Sequence, residues 1–203
     1  MSSRLATAGF VAMLCVVTTS LLSQATAQTP SAKTPAAAPK VGPVKPPVTD
    51  AEKIKSALSA APAAIAKDAT VVDINMQTMA SKVLKQGTNG WTCMPDGPSP
   101  GVDPMCLDKN GMEWADAWMH HKDPPKDKMA IGYMLMGGSD ASNKDPFAEK
   151  PNPGDRWVDT GPHIMVLNIG NHFVGYPTTA ANTKVPYVMY SNTPYAHIMI
   201  PVK

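Results

Sequence analysis

Gly161-Pro162-His163-Ile164-Met165-Val166-Leu167-Asn168-Ile169 is the stretch that decides the fold class. A Gly-Pro turn opens it, a short apolar run follows, and Asn168 interrupts its far end. A run of this length bounded by turn residues reads as a buried strand rather than a helix. The same tripeptide returns at His197-Ile198-Met199, again just after a Pro-containing turn, Thr193-Pro194-Tyr195. Working outward, apolar runs at 129–136, 163–169, 185–190 and 195–202 predict four strands, separated by Gly/Pro/Asn/Asp loops. Upstream, 69–74 is a β-branched run and 81–86 alternates polar and apolar residues. Gly87-Thr88-Asn89-Gly90 then reads as a turn, with 91–94 as the strand returning from it.

Helices are fewer. Thr49 followed by Glu52 is a capping box, with Ile54 and Leu58 one turn apart behind it. That helix should stop near Ala61, because Pro62 disfavours helical backbone in the residue before it. A short helical turn over 63–67 follows. Asn110-Gly111 reads as the cap of a helix over 112–121, which carries Trp114, Ala115, Trp118 and Met119 on one side and ends at Asp123-Pro124-Pro125. The expectation is an α+β domain: a mainly antiparallel sheet, or a small β-barrel or sandwich, with two or three short helices.

Residues 1–27 have the pattern of a secretory signal. Arg4 supplies the positive charge, 9–22 an apolar stretch, and Ala25-Thr26-Ala27 a small-x-small cleavage site. The apolar stretch is too short and too interrupted by Thr and Ser to span a bilayer comfortably. Residues 28–49 form a Pro/Ala/Lys-rich tether with no aromatic residue and no means of building a core. One globular domain over 50–203 is expected. Export places that domain in the periplasm or outside the cell, with no transmembrane anchor after cleavage. Two cysteines remain in the mature chain, Cys93 and Cys106, and in an oxidising compartment they read as a disulfide. It would close a Pro/Gly-rich loop and be worth about 3 kcal/mol.

The formal charge of +2 over the whole chain hides an uneven distribution. From Asp50 onward there are 14 Lys/Arg and 16 Asp/Glu, and the only arginine is Arg156. A nucleic-acid partner calls for clustered Lys/Arg and arginine forks, so that class is set aside.

Gly87-Thr88-Asn89-Gly90-Trp91-Thr92-Cys93, Asp103-Pro104-Met105-Cys106-Leu107-Asp108, Gly137-Gly138-Ser139-Asp140-Ala141-Ser142-Asn143, Gly161-Pro162-His163-Ile164-Met165 and Thr193-Pro194-Tyr195-Ala196-His197-Ile198-Met199 together resemble a group of exported bacterial proteins of uncharacterised activity. The resemblance runs from about residue 55 to the end. It implies export and a single domain, and brings no cofactor or catalytic residue with it.

Five features bear on chemistry. In the two His-Ile-Met strands, His and Met at i, i+2 share a face, so neighbouring strands would bring His163, Met165, His197 and Met199 together. Such a soft, mixed set suits copper; the alternative is two hydrogen-bonded structural histidines and two core methionines. The 14 methionines sit mostly in apolar segments and read as core fillers. His120 and His121 close a helix, where adjacent positions diverge and the helix dipole favours them. Asp140, Asn143 and Asp145 in a Gly-rich loop offer ligand-binding oxygens, without an EF-hand pattern, and Asx-rich turns often only make turns. Trp91, Trp114, Trp118 and Trp157 offer a ligand platform, Trp157 from a loop, or else a buried helix face.

No nucleophile motif is present. The best acid–base pair that can be assembled is His163 or His197 with Asp140, which nothing in the spacing requires. The reading is therefore an exported protein that binds a small ligand or a metal ion, copper by preference, through the paired His-x-Met strands. An envelope-associated structural protein, or a hydrolase-like enzyme with a His/Asp site, stands as the alternative.

Overall fold

Thr49 opens the first helix, α1 (Asp50–Ser59), through a complete capping box: its hydroxyl accepts from the Glu52 amide and the Glu52 carboxylate accepts from the Thr49 amide. After Pro62 comes α2 (Ala63–Ala66), a single turn. These positions belong to a computed structural model that describes residues 45–170 and 172–202. The signal and cleavage readings, and the tether up to residue 44, lie outside the described residues. All described residues fall in one compact unit.

Ten strands and one further helix follow: β1 (Thr70–Ile74), β2 (Ser81–Lys85), β3 (Thr92–Met94), β4 (Met105–Leu107), α3 (Lys109–Met119), β5 (Ala130–Met134), β6 (Gly138–Asp140), β7 (Val158–Thr160), β8 (His163–Leu167), β9 (Tyr187–Met189) and β10 (His197–Pro201). Eight strands form one open sheet in the order β2-β1-β3-β4-β5-β8-β10-β9, while β6 and β7 pair separately. Every pairing is antiparallel except β1 with β3. The fold is thus α+β with a mainly antiparallel open sheet and short helices. Among the described residues no helix is long and apolar enough to cross a membrane.

The parallel pair corrects the expected local hairpin. β3 does not return along β2 but lies on the far side of β1. The connecting loop crosses the start of β1: Thr88 donates to the Asp68 carbonyl, the Gly87 amide to the Thr70 hydroxyl, and Lys85 to the carbonyls of Lys67 and Ala69. A Cβ on Gly87 would collide with the backbone of Asp68, Ala69 and Thr70, so this crossing requires glycine. A second correction concerns α3, which starts three residues before Met112. Asp108, not Asn110-Gly111, caps it by accepting from the Gly111 amide at 2.7 Å. Strands β4, β6 and β7 have three residues each and leave no pattern long enough to read.

Alternation gives the sheet two distinct faces. α1 covers one through Ala57, over Val71, Cys93 and Cys106. Cys93 and Cys106 oppose each other across β3 and β4 and form the expected disulfide. α3 covers the other face through Trp114 and Ala115, over Leu107, Met165, Leu167, Tyr187 and Met199.

Candidate functional site

β8 and β10 are sheet neighbours, with Met199 directly opposite Met165. Both therefore project from the α3 face, as do His163 and His197 by the i, i+2 rule. The strands run antiparallel, however, so His163 lies opposite Pro201 while His197 lies beyond the other end of the ladder. Four residues separate those positions, about 13 Å along the strand. The register sets the two methionines directly opposite each other and the two histidines toward opposite ends of the ladder.

The wider pattern is a row of methionines. Met94, Met105, Met134, Met165, Met199 and Met189 come one each from β3, β4, β5, β8, β10 and β9, six consecutive strands of the sheet. Met94 pairs with Met105, and Met165 with Met199. All six line a single cavity of about 540 Å³ between the sheet and α3, whose Trp114, Ala115 and Trp118 form the opposite wall. Their number was legible in the sequence, and so was their apolar setting. Their convergence was not, because it depends on strand order.

Several polar groups of the cavity are linked by hydrogen bonds. Asp140, on β6, accepts a hydrogen bond from the Tyr190 hydroxyl at 3.1 Å. Burial pushes its carboxyl up to about 7, with nearby Asp103 adding to the rise against the opposing Tyr190 bond. Asp103 accepts from the Ser139 amide and from the hydroxyls of Ser99 and Ser139. Burial raises the Asp103 and Asp96 carboxyls too. Tyr190 holds φ at +54°, in the left-handed region that non-glycine residues adopt at a cost of about 1–2 kcal/mol. Its amide donates to the Asn143 carbonyl and its own carbonyl accepts from Thr193, so the strained turn is over-determined. Strain of this kind beside the half-buried Asp140 points to a position kept for where its side chain goes. Neither Tyr190 nor Asp103 stood out in the sequence, since the contact with Asp140 spans 50 residues for the tyrosine.

The histidines share one arrangement. His163 Nδ1 pairs with the Gly161 carbonyl at 2.8 Å and His197 Nδ1 with the Tyr195 carbonyl at 2.9 Å. Each Nδ1 therefore carries the hydrogen, and Nε2 is left as the acceptor. Burial lowers both imidazoles, His197 to about 4, so both are neutral at pH 7. His197 lines the cavity, with Trp114 and Tyr190 edge-on to it. His163 is fully buried, and its Nε2 has no partner among the described residues. Neither histidine hydrogen-bonds Asp140, and the Ser139 hydroxyl is engaged by Asp103.

No protein-family model matches the chain, and no curated protein or solved structure matches it either.

Of the other residues singled out in the sequence, Asn143 spends its amide on the carbonyls of Thr178 and Val188 and does not line the cavity. Trp157 precedes β7 in the small sheet and does not line it either. Among the described residues no group of three or more His, Cys, Asp or Glu is placed to hold a metal ion.

Proposed function

We propose that this is an exported binding protein that takes up a small, largely apolar ligand between α3 and the sheet. The observation that carries the reading is the row of six methionines from six adjacent strands flooring one cavity, with Asp140, Tyr190 and His197 also lining it. Methionine is unbranched and polarisable, so a thioether floor moulds to varied apolar shapes. A mostly apolar cavity with a few convergent polar groups is the usual form of a small-molecule site. The His-x-Met strands take part through Met165, Met199 and His197. The Cys93–Cys106 disulfide supports an oxidising, extracytoplasmic location.

The test is titration of the purified mature protein with N-phenyl-1-naphthylamine, whose emission rises in apolar surroundings. Saturable binding is expected, and Ala115→Phe, which fills the cavity from α3, should weaken it at least about tenfold. Absence of saturable binding, or binding indifferent to Ala115→Phe, would overturn the proposal.

A second reading, a soft metal ion, has its own support. His163 presents a neutral, buried and unpartnered Nε2 whose Nδ1–H is fixed by a carbonyl, the arrangement a metal-bound imidazole adopts. The Met134 thioether lies beside it: a Cβ on Gly138 would meet His163 Cε1 at 2.9 Å and Met134 Sδ at 3.6 Å. One imidazole and one thioether form a donor set suited to Cu(I). Thermal unfolding with Cu(I) at a hundred times its Kd should then gain about 2.7 kcal/mol, and His163→Gln should remove the gain.

A further inference from the structure

We propose that the ligand of this cavity is an organic amine, an ammonium group on an apolar body, held by the Asp140 carboxylate; the inference rests on the binding proposal above and specifies its chemistry. Charge complementarity leads to it. Four carboxylates line the cavity, those of Asp73, Asp96, Asp103 and Asp140, against a single lysine, Lys53, which Asp73 already engages. Asp96 and Asp103 are likewise occupied, by the Asp103 amide, by Ser99 and by Ser139. Asp140 receives one hydrogen bond, on Oδ1 from Tyr190, with none on Oδ2 among the described residues; Asp96 likewise receives one, from the Asp103 amide, but Asp140 is the carboxyl set against an aromatic ring of the cavity wall.

Among the described residues, the groups facing Asp140 offer no cation. Tyr190 is bonded to it, Tyr187 and Asp103 lie near, Asp159 sits on the paired strand β7, and His163 and His197 are both neutral. An ionised carboxylate in such a place is costly unless a positive group joins it. The remaining walls suit the apolar part of an amine. Trp114, Trp118 and Tyr190 present aromatic surface that attracts a cation, and the methionines accept a hydrocarbon body. An independent observation also points to a ligand. Trp114 is 8% exposed and lines the cavity, and its indole N–H finds no acceptor among the described residues. An amine that also carries an acceptor oxygen would satisfy it.

Binding an ammonium group ionises Asp140 and releases its proton. Because the carboxyl is pushed up to about 7 in the free protein, an amine should bind about tenfold more weakly at pH 6 than at pH 8. A neutral ligand should show no such fall.

Calorimetric titration with three probes of equal chain length separates the outcomes: octylamine, octan-1-ol and octanoate. Octylamine is expected to bind about tenfold tighter than octan-1-ol at pH 8, with octanoate weakest. That preference should shrink about tenfold at pH 6 and disappear in Asp140→Asn. The wild-type pH series tests the idea even if the variant folds poorly. If octan-1-ol binds and octylamine binds no tighter, the amine assignment falls while the binding proposal stands. If the preference survives Asp140→Asn, or does not change with pH, Asp140 is not its source and the assignment falls. If none of the three binds, the cavity is not a ligand site and both proposals fall.

Discussion

Replacing Asp140 by Asn should make the protein more stable at pH 8 and leave it no more stable at pH 4. Asp140 titrates at about 7 in the folded protein against an ordinary 3.8. Between those pH values the folded chain holds a proton that the unfolded chain has lost, so stability falls as pH rises through the window and levels off above 7. Three pH units correspond to about 4 kcal/mol. This is a ceiling, because Asp140 is only partly shielded from water. His197 acts in the opposite sense. It titrates at about 4 when folded and 6.5 otherwise, so stability is lost as pH falls from 6.5 to 4. Between pH 4 and 6.5 these two contributions oppose each other with nearly equal slopes. Asp140→Asn keeps an acceptor for the Tyr190 hydroxyl and removes only the titration. Its advantage should therefore grow by about 1.4 kcal/mol per pH unit from 4 to 7. At about 2–4 °C per kcal/mol for a domain of this size, the difference in Tm at pH 8 reaches roughly 10 °C. Circular-dichroism melts of both proteins at half-unit steps measure it. Asp96, Asp103 and Asp159 are also raised, but they titrate in both proteins and drop out of the difference. A difference that does not vary between pH 5 and 8 would refute the argument, since it would mean that Asp140 titrates alike in the folded and unfolded chains.

Two glycines make a contrasting pair. Gly87→Ala sets a Cβ against backbone that cannot yield and should cost more than about 3 kcal/mol, whereas Gly132→Ala meets only the ends of Met165 and Leu107, at 2.6 and 2.8 Å, and should cost about 1–2 kcal/mol. Urea denaturation ranks them, and equal costs would contradict the crossing of β1 described above. The double variant Cys93→Ala/Cys106→Ala should lose about 3 kcal/mol of stability, since the bond closes a loop with a sequence separation of 13. The same denaturation series checks this, and an unchanged midpoint would show that the β3–β4 ladder alone holds the loop.

The sequence was legible wherever a signal was local. Thr49 and Glu52 lie three residues apart, and both halves of their capping box form. The apolar runs at β5, β8, β9 and β10 each carried enough residues to show a strand. What was hidden depended on order and direction. His163 and His197 sit in the same tripeptide, but one antiparallel ladder sets their positions about 13 Å apart along the strand and places Met165 opposite Met199. Asn143 lies outside the cavity lining, its side-chain amide donating to the carbonyls of Thr178 and Val188 across 35 and 45 residues, which no spacing records.

The methionine count follows the same logic in the other direction. Each methionine alone is well described as filler for an irregular gap. Strand order then lays six such fillers side by side along one cavity, with Trp114, Ala115 and Trp118 of α3 on its other wall. Were tight packing the requirement, branched residues with fixed rotamers would serve the sheet better and close the space. A floor of flexible thioethers, joined in the lining by a carboxyl that needs a partner and by a tyrosine held in strained backbone, sacrifices packing for adaptability. The two His-Ile-Met repeats enter that arrangement through Met165, Met199 and His197, which line the cavity.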